Sequence, residues 1–338
     1  MWWLPFLLFA LGAFGAAWVG TGAALRWLER RAILDHPNHR SSHATPTPRG
    51  AGLAVVAVVL AAWSLSASLS GALMLYLPLF AAAVVLAAVS WRDDLHGLGA
   101  LPRLAVQAAA VAAGMTALPG GGAVFQGLLP AWLDIALAGF LWLWFINLFN
   151  FMDGIDGIAG TEAASIGAGL FLMAVAGALS GEAGLYALIL AAAALGFLPW
   201  NWHPARIFLG DVGSVPLGYL IGWLLLWTAA QGLWAAALLL PLYYLADATL
   251  TLLSRLRRRE KIWQAHRDHY YQRAVRRGLG HDTVVRAVLG VNLALIVCAV
   301  VSLAGGLPRV AALATGALLV GALLWYFRGA TGGGRADG

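Results

Sequence analysis

Acidic residues and cysteine are scarce in this chain. Among 338 residues there are 15 Asp and Glu together and one cysteine, Cys298. A lone cysteine inside an apolar run excludes a disulfide framework and a thiolate metal site. Only 11% of the chain is charged, whereas 61% is hydrophobic and mean hydropathy is +0.80. An ordinary soluble domain is thereby excluded. There is no Gly-rich loop ending in Lys-Ser/Thr, no internal repeat and no low-complexity tract beyond the small "GATGGGRADG" tail. No aromatic-basic module points to a nucleic-acid partner, despite a net charge of +6.

What is present is a series of apolar runs of roughly 20 residues, the length that crosses a bilayer core. Backbone polar groups in lipid must be satisfied within the span, so helices or closed barrels remain. The runs are rich in Ala, Leu and Val and do not alternate, which selects helices. About eleven are expected, near 2–25, 51–69, 71–90, 101–118, 131–150, 158–179, 182–199, 213–229, 232–253, 284–305 and 308–327. The expectation is one polytopic all-α membrane domain over 1–338.

The basic residues orient it. The first run has no basic segment before it and is followed by Arg26, Arg30 and Arg31, which reads as a retained helix with its N-terminus outside. If the spans alternate from there, every basic residue except Arg309 falls on one face, the cytoplasmic one. The C-terminus is then cytoplasmic too. Positive-inside charge serves insertion whatever the function, but this face also attracts anions.

The outer loops are short, and five inner loops, at 26–50, 91–103, 147–157, 200–214 and 255–283, hold nearly all the chemistry. A transporter or flippase is the alternative from another class. It predicts charges near the membrane midplane, and apart from Asp247 the spans have none. Chemistry at the cytoplasmic surface is favoured.

Five acids stand at helix ends on that arginine-rich face: Asp93, Asp94, Asp153, Asp156 and Asp211. A hard divalent cation with oxygen ligands, Mg²⁺ or Mn²⁺, is one account of them. Helix capping is the other, since Asp156 precedes "GIAG" and Asp211 precedes "VGS". The glycines of "DGIDG" and "FLGDVGS" permit close approach of backbone to a ligand. The loop "AHRDHYYQRAVRR" sets Arg267 between His266 and His269, where anion binding is better supported than zinc. The loop "HRSSHATPTPRG" offers Arg40, Ser41, Ser42, His43 and Arg49, a dense set of phosphate-binding side chains.

In motif order, "RSSHATPTPRGAG", "DD", "NLFNFMDGIDGIAG", "NWHPARIFLGDVGS" and the His loop resemble the polyprenyl-phosphate N-acetylhexosamine-1-phosphate transferases. The resemblance covers almost the whole chain. It implies a bundle of ten or eleven transmembrane helices with its site on the cytoplasmic face of the bacterial inner membrane. The loop "HRDHYYQR" is similar to that of the branch which starts O-antigen chains on FucNAc- or QuiNAc-type sugars. The implied reaction takes UDP-N-acetylhexosamine and undecaprenyl phosphate to lipid-diphosphate-sugar and UMP. Other branches act in peptidoglycan and teichoic-acid synthesis.

The resemblance also implies roles. Asp211 would be a ligand of Mg²⁺ or Mn²⁺, with Asp93 and Asp94 facing the metal and the lipid phosphate. Phe208 would stack on uracil, with Asn201 and Asp156 on its edge. Asn150 and Asp153 would line the nucleotide pocket. His266, Arg267 and His269 would hold phosphates. A homodimer is compatible with such a chain.

Overall fold

The computed structural model describes residues 4–37, 45–119, 123–261 and 266–329. Among them the only strands are two-residue pieces, Leu34–Asp35 and Thr47–Pro48, paired antiparallel. Everything else of regular structure is helical: α1 (Leu4–Arg30), α2 (Gly52–Leu69), α3 (Leu73–His96), α4 (Ala100–Met115), α5 (Ala131–Phe151), α6 (Ile158–Val175), α7 (Gly181–Asn201), α8 (Asp211–Thr228), α9 (Trp234–Leu239), α10 (Leu242–Arg257), α11 (Tyr270–Arg276), α12 (His281–Ser302) and α13 (Gly306–Gly329). Nine helices among the described residues are long and apolar enough to cross a membrane. The chain is a multi-pass membrane protein.

Two departures from the expected eleven runs have local causes. The α8 helix continues through a π-helical turn, Ala229–Leu233, into α9, forming one apolar segment Asp211–Leu239. Gly232, at φ +85°, supplies the left-handed residue that the turn needs. The helix expected over 232–253 is interrupted instead at Pro241, just before α10. The expected run at 101–118 is the apolar helix α4, only 16 residues long.

The α8 segment is the axis of the bundle. Its most apolar window is wholly buried, with α2, α3, α5, α6 and α7 around it. Tryptophan builds much of this core. Trp63 stacks on Tyr186 at 4.7 Å and donates to its carbonyl at 3.0 Å. Trp142 does the same with Tyr219, at 4.7 Å and 2.8 Å. The indole N–H groups of Trp63 and Trp142 thus find acceptors inside the apolar interior.

The N-terminus of α8 lies against that of α2, where a Cβ on Gly52 would collide with the backbone of Gly213. Around this point gather the C-terminal ends of α3, α5 and α7 and the N-terminal ends of α4, α6 and α12. The polar loops therefore meet at one end of the bundle, centred on its most buried helix.

Candidate functional site

The loop after the second strand is sewn to the entry of α8. Phe208 N–H donates to Pro48 O at 2.8 Å, and Gly50 N–H and Ala51 N–H each donate to Phe208 O at 3.0 Å. This pairing sets Arg49 opposite Asp211. Arg49 Nη2 lies 2.6 Å from Asp211 Oδ1 and 2.9 Å from Asp94 Oδ1.

Asp94 reaches across from α3 to close the end of α8. Its carboxylate accepts the N–H groups of Asp211 at 3.1 Å and Val212 at 2.9 Å. The cap is thus a residue of another helix, placed where the helix dipole favours negative charge. Asp211 does not cap α8; it stands in the first turn with Gly210 before it at φ +77°. Nor does Asp156 cap α6, where Gly157 holds the cap position. Helix capping thus does not account for either acid.

A second arginine, Arg103 at the start of α4, lies 2.8 Å from Asp93 Oδ2 and 3.6 Å from Asp211 Oδ2. Asn150 donates to Asp211 Oδ2 at 3.4 Å and accepts from Ser214 Oγ at 2.6 Å. Three carboxylates from α3 and α8 thus share one small volume with two guanidinium groups. Burial pulls the Arg49 proton affinity down, but Asp211, Asp94, Asp35 and Asp153 outweigh it and hold the guanidinium above its ordinary range. Asp153 is moved the other way. Burial raises its carboxyl to about 7; Arg49 opposes the rise and the charges of Asp211, Asp94 and Asp156 add to it.

Asp156 forms a separate cluster. Its Oδ2 lies 2.6 Å from His203 Nδ1 and 3.3 Å from His281 Nδ1, and accepts Ala205 N–H at 3.1 Å. The ligand atoms of these three side chains all lie within 4.8 Å of one another, a grouping able to hold a metal ion. Burial raises the Asp156 carboxyl, but the bonds from His281 and His203 outweigh it and leave it below its usual range.

Several expected contacts have a different geometry. Asn201 is 3% exposed; its amide accepts Gly157 N–H and donates to Ile207 O, both at 2.9 Å. Asn201 and Asp156 therefore tie the loop together. His269 is 2% exposed and lies 3.2 Å from Asp247 Oδ1. The same carboxylate accepts Tyr270 N–H at 2.9 Å, Tyr271 N–H at 3.2 Å and the Tyr243 hydroxyl at 3.1 Å. His269 thus anchors the loop through its Nδ1. His266 and Arg267 are half-buried beside it. Burial, His269 and Arg255 bring the His266 imidazole down to about 4. Phe208 is half-buried, two residues before Gly210. Arg40, Ser42 and His43 lie outside the described residues.

Sequence alone does not single out Arg103, His203 and His281. Arg103 reads as one of many topological charges, and the two histidines are far from Asp156 along the chain. The "DD" and "GDVGS" acids do come together, as do Arg49 and Asn150.

Beside the acids opens a cavity of about 360 Å³ between α3, α4, α5, α8 and α10. Asp93, Arg103, Asn150 and Asp211 stand at one end, and Leu104, Phe140, Leu143 and Trp144 are among its apolar walls.

Comparison with known proteins agrees with this picture. The profile of the family described as "Glycosyl transferase family 4" matches residues 76–229. A decaprenyl-phosphate N-acetylglucosaminephosphotransferase of Mycobacterium tuberculosis is 31% identical over 223 residues, 60% of this chain and 55% of that protein. A phospho-N-acetylmuramoyl-pentapeptide-transferase of Synechococcus sp. is 31% identical over 233 residues, 64% of each chain. A Streptomyces coelicolor protein named as a glycosyltransferase is 33% identical over 294 residues, 84% of this chain and 67% of that one. The chain thus spans little more than half of the mycobacterial relative.

Proposed function

Because the chain belongs to glycosyl transferase family 4, we propose that it transfers the HexNAc-1-phosphate of a UDP-sugar to undecaprenyl phosphate in the bacterial inner membrane. The observation that carries this reading is the cavity, charged at one end and apolar along its length. A phosphate on a hydrocarbon chain has the same division.

The chemistry follows from the charges. A lipid-phosphate oxygen attacks the sugar-bearing phosphorus of the UDP-sugar. The bond from that phosphorus to the bridging oxygen breaks, and UMP leaves with its electron pair. A phosphate monoester has a second pKa of about 6, so the nucleophile is mostly dianionic at neutral pH and needs little help from a base. The main difficulty is the gathering of negative charge. Arg49 and Arg103 stand where they can neutralise the phosphates, and their carboxylate partners hold both guanidinium groups in register.

The oxygen-only donor set of Asp93, Asp94 and Asp211 suits Mg²⁺ or Mn²⁺. That two guanidinium groups already neutralise these acids marks the place as one that takes positive charge. Asp211, with Asp93 and Asp94 beside it, would hold the ion. Bound there, the ion supplies charge neutralisation for the transferring diphosphate. Asn150 and Asp153 would line the nucleotide side, Phe208 would stack on the base, and Arg267 with neutral His266 would receive phosphate oxygens.

The "HRDHYYQR" loop supports the O-antigen-initiating branch. The test is to incubate the purified protein with undecaprenyl phosphate and a panel of UDP-sugars, including UDP-N-acetylmuramoyl-pentapeptide, and to measure UMP release. Release with an N-acetylhexosamine donor is expected. No release with any donor in Mg²⁺ sinks the reading, and release with the pentapeptide donor alone reassigns the branch.

A further inference from the structure

The arginines between α10 and α12 are not all matched by acids. Arg255 Nη1 lies 2.6 Å from Asp268 Oδ2 and 2.9 Å from Glu260 Oε2, and Arg258 Nε lies 2.9 Å from Glu260 Oε1. Two arginines and two carboxylates thus balance. Arg273, Arg276 and Arg277 on α11 enter no salt bridge among the described residues. With Arg258 and Asp268 these three line an open hollow of about 430 Å³. None of the residues grouped around Asp211 lines it. Positive charge that serves insertion needs only to lie on the right side of the membrane. Here it is gathered around one concavity.

Two observations put this hollow at the membrane surface. Leu250, Leu253 and Leu256 are exposed on one side of α10, opposite the buried Asp247, Thr251 and Arg255. In a multi-pass membrane chain such a row faces acyl chains, and it ends two residues before Arg258. On the other side, α11 packs against α13. Near the end of α13 the rings of Trp325 and Tyr326 are exposed, as at a membrane–water interface.

We propose that the hollow binds one anionic diacyl phospholipid, with its phosphodiester held by Arg273, Arg276 and Arg277 and its acyl chains along Leu250, Leu253 and Leu256. Arginine grips phosphate oxygens in pairs, and basic pockets beside membrane helices take anionic headgroups. The walls come from the end of α10 and from α11, on either side of the segment that carries His266, Arg267 and His269. A headgroup seated between them clamps that loop. The inference does not rest on the transferase reading.

Native mass spectrometry of the full chain, with phosphatidylglycerol and phosphatidylcholine supplied together, tests it. The wild-type protein should retain one phosphatidylglycerol in preference to phosphatidylcholine. Arg276→Gln combined with Arg277→Gln should weaken that binding about 30-fold, the scale of two arginines at an anionic membrane surface. Arg257→Gln combined with Arg259→Gln removes the same charge nearby from residues that do not line the hollow, and should leave the binding as in the wild-type protein. Equal losses in the two variants indicate a diffuse basic surface, and no loss in either places the lipid elsewhere; both overturn the proposal. Glycerophosphoglycerol, the same headgroup without acyl chains, should not displace the lipid at equal concentration. Displacement by it or by UMP assigns the hollow to a soluble anion and overturns the lipid assignment. If the Arg276/Arg277 variant does not fold, the wild-type protein decides. Phosphatidylglycerol with a diazirine on its headgroup should label peptides within 255–261 or 266–279, and labelling confined to other peptides overturns the proposal.

Discussion

The Arg49 guanidinium lies 2.6 Å from Asp211 Oδ1, a residue 162 positions further along the chain. The same nitrogen contacts Asp94 at 2.9 Å. One cation thus ties together the carboxylates that would otherwise repel one another at the head of the central helix. Removing it by Arg49→Ala leaves the 3%-exposed Asp94 side chain without its counter-ion. Breaking a buried pair costs about 3–5 kcal/mol, and the one-third exposure of Arg49 reduces this to about 1–3 kcal/mol. The variant's Tm should fall. Mg²⁺ or Mn²⁺ should raise it by more than in the wild-type protein, because the ion restores the missing positive charge. An equal metal effect on both Tm values would remove Arg49 from this role.

Asp211→Asn tests the metal claim directly. The amide keeps the shape and removes the charge that would hold the ion. Turnover should fall at least ~100-fold, on the scale of losing one preorganised electrostatic contact. Mn²⁺ binding followed by electron paramagnetic resonance should weaken in parallel, while helical content by circular dichroism stays as in the wild-type chain. Undiminished turnover in excess chelator contradicts the need for a metal.

Much of this centre was legible in the sequence because its residues are out of place there. Carboxylates are rare and apolar runs long, so "DD", "DGIDG" and "GDVGS" stand out without any structural aid. The order of helices was legible for the same reason. Pairings between distant segments were not. Arg103 resembles any inner-face arginine until α4 carries it to 2.8 Å from Asp93. His203 and His281 become informative only when the ends of α7 and α12 meet at Asp156. The break at Pro241 and the π-helical turn through Gly232 depend on how α8 and α9 pack, which apolar periodicity does not report.

Asp153 gives a pH prediction. Its carboxyl is raised to about 7 in the fold, against about 4 in an unfolded chain. Below pH ~4 both states are protonated and the full contribution is present. As pH rises toward 7, the unfolded state loses its proton first, so unfolding becomes easier and stability falls. Asp153→Asn cannot titrate. Without added metal, the Tm of the variant minus that of the wild-type protein should grow between pH ~4 and ~7 and then level off. A difference that stays flat across that window rules out the raised carboxyl.

Asp247 organises the His loop from below. It is fully buried and accepts two backbone N–H groups, two hydroxyls and the His269 ring. An amide in its place offers one acceptor oxygen, and its NH2 would face donors. Asp247→Asn should therefore cost about 2–4 kcal/mol of stability. Activity should fall through loss of loop position, with KM for the anionic substrates rising more than kcat falls. An unchanged Tm would show that the loop is held by other contacts.

Phe208 separates base recognition from packing. Its backbone N–H and carbonyl are tied to Pro48, Gly50 and Ala51, so truncating the ring leaves the strap that positions Arg49 in place. Its ring is half-buried, three residues before Asp211. Stacking of a base on an aromatic ring is worth about 1–3 kcal/mol in nucleic-acid complexes, and about 1.4 kcal/mol is a factor of ten in affinity. Phe208→Ala should therefore raise the Kd for UMP by roughly tenfold or more. The lipid phosphate carries no base, so its Kd should hardly move. Calorimetry with UMP and with a short-chain polyprenyl phosphate on the same variant separates the outcomes. If the two affinities fall together, Phe208 is a packing residue and the uracil pocket lies elsewhere.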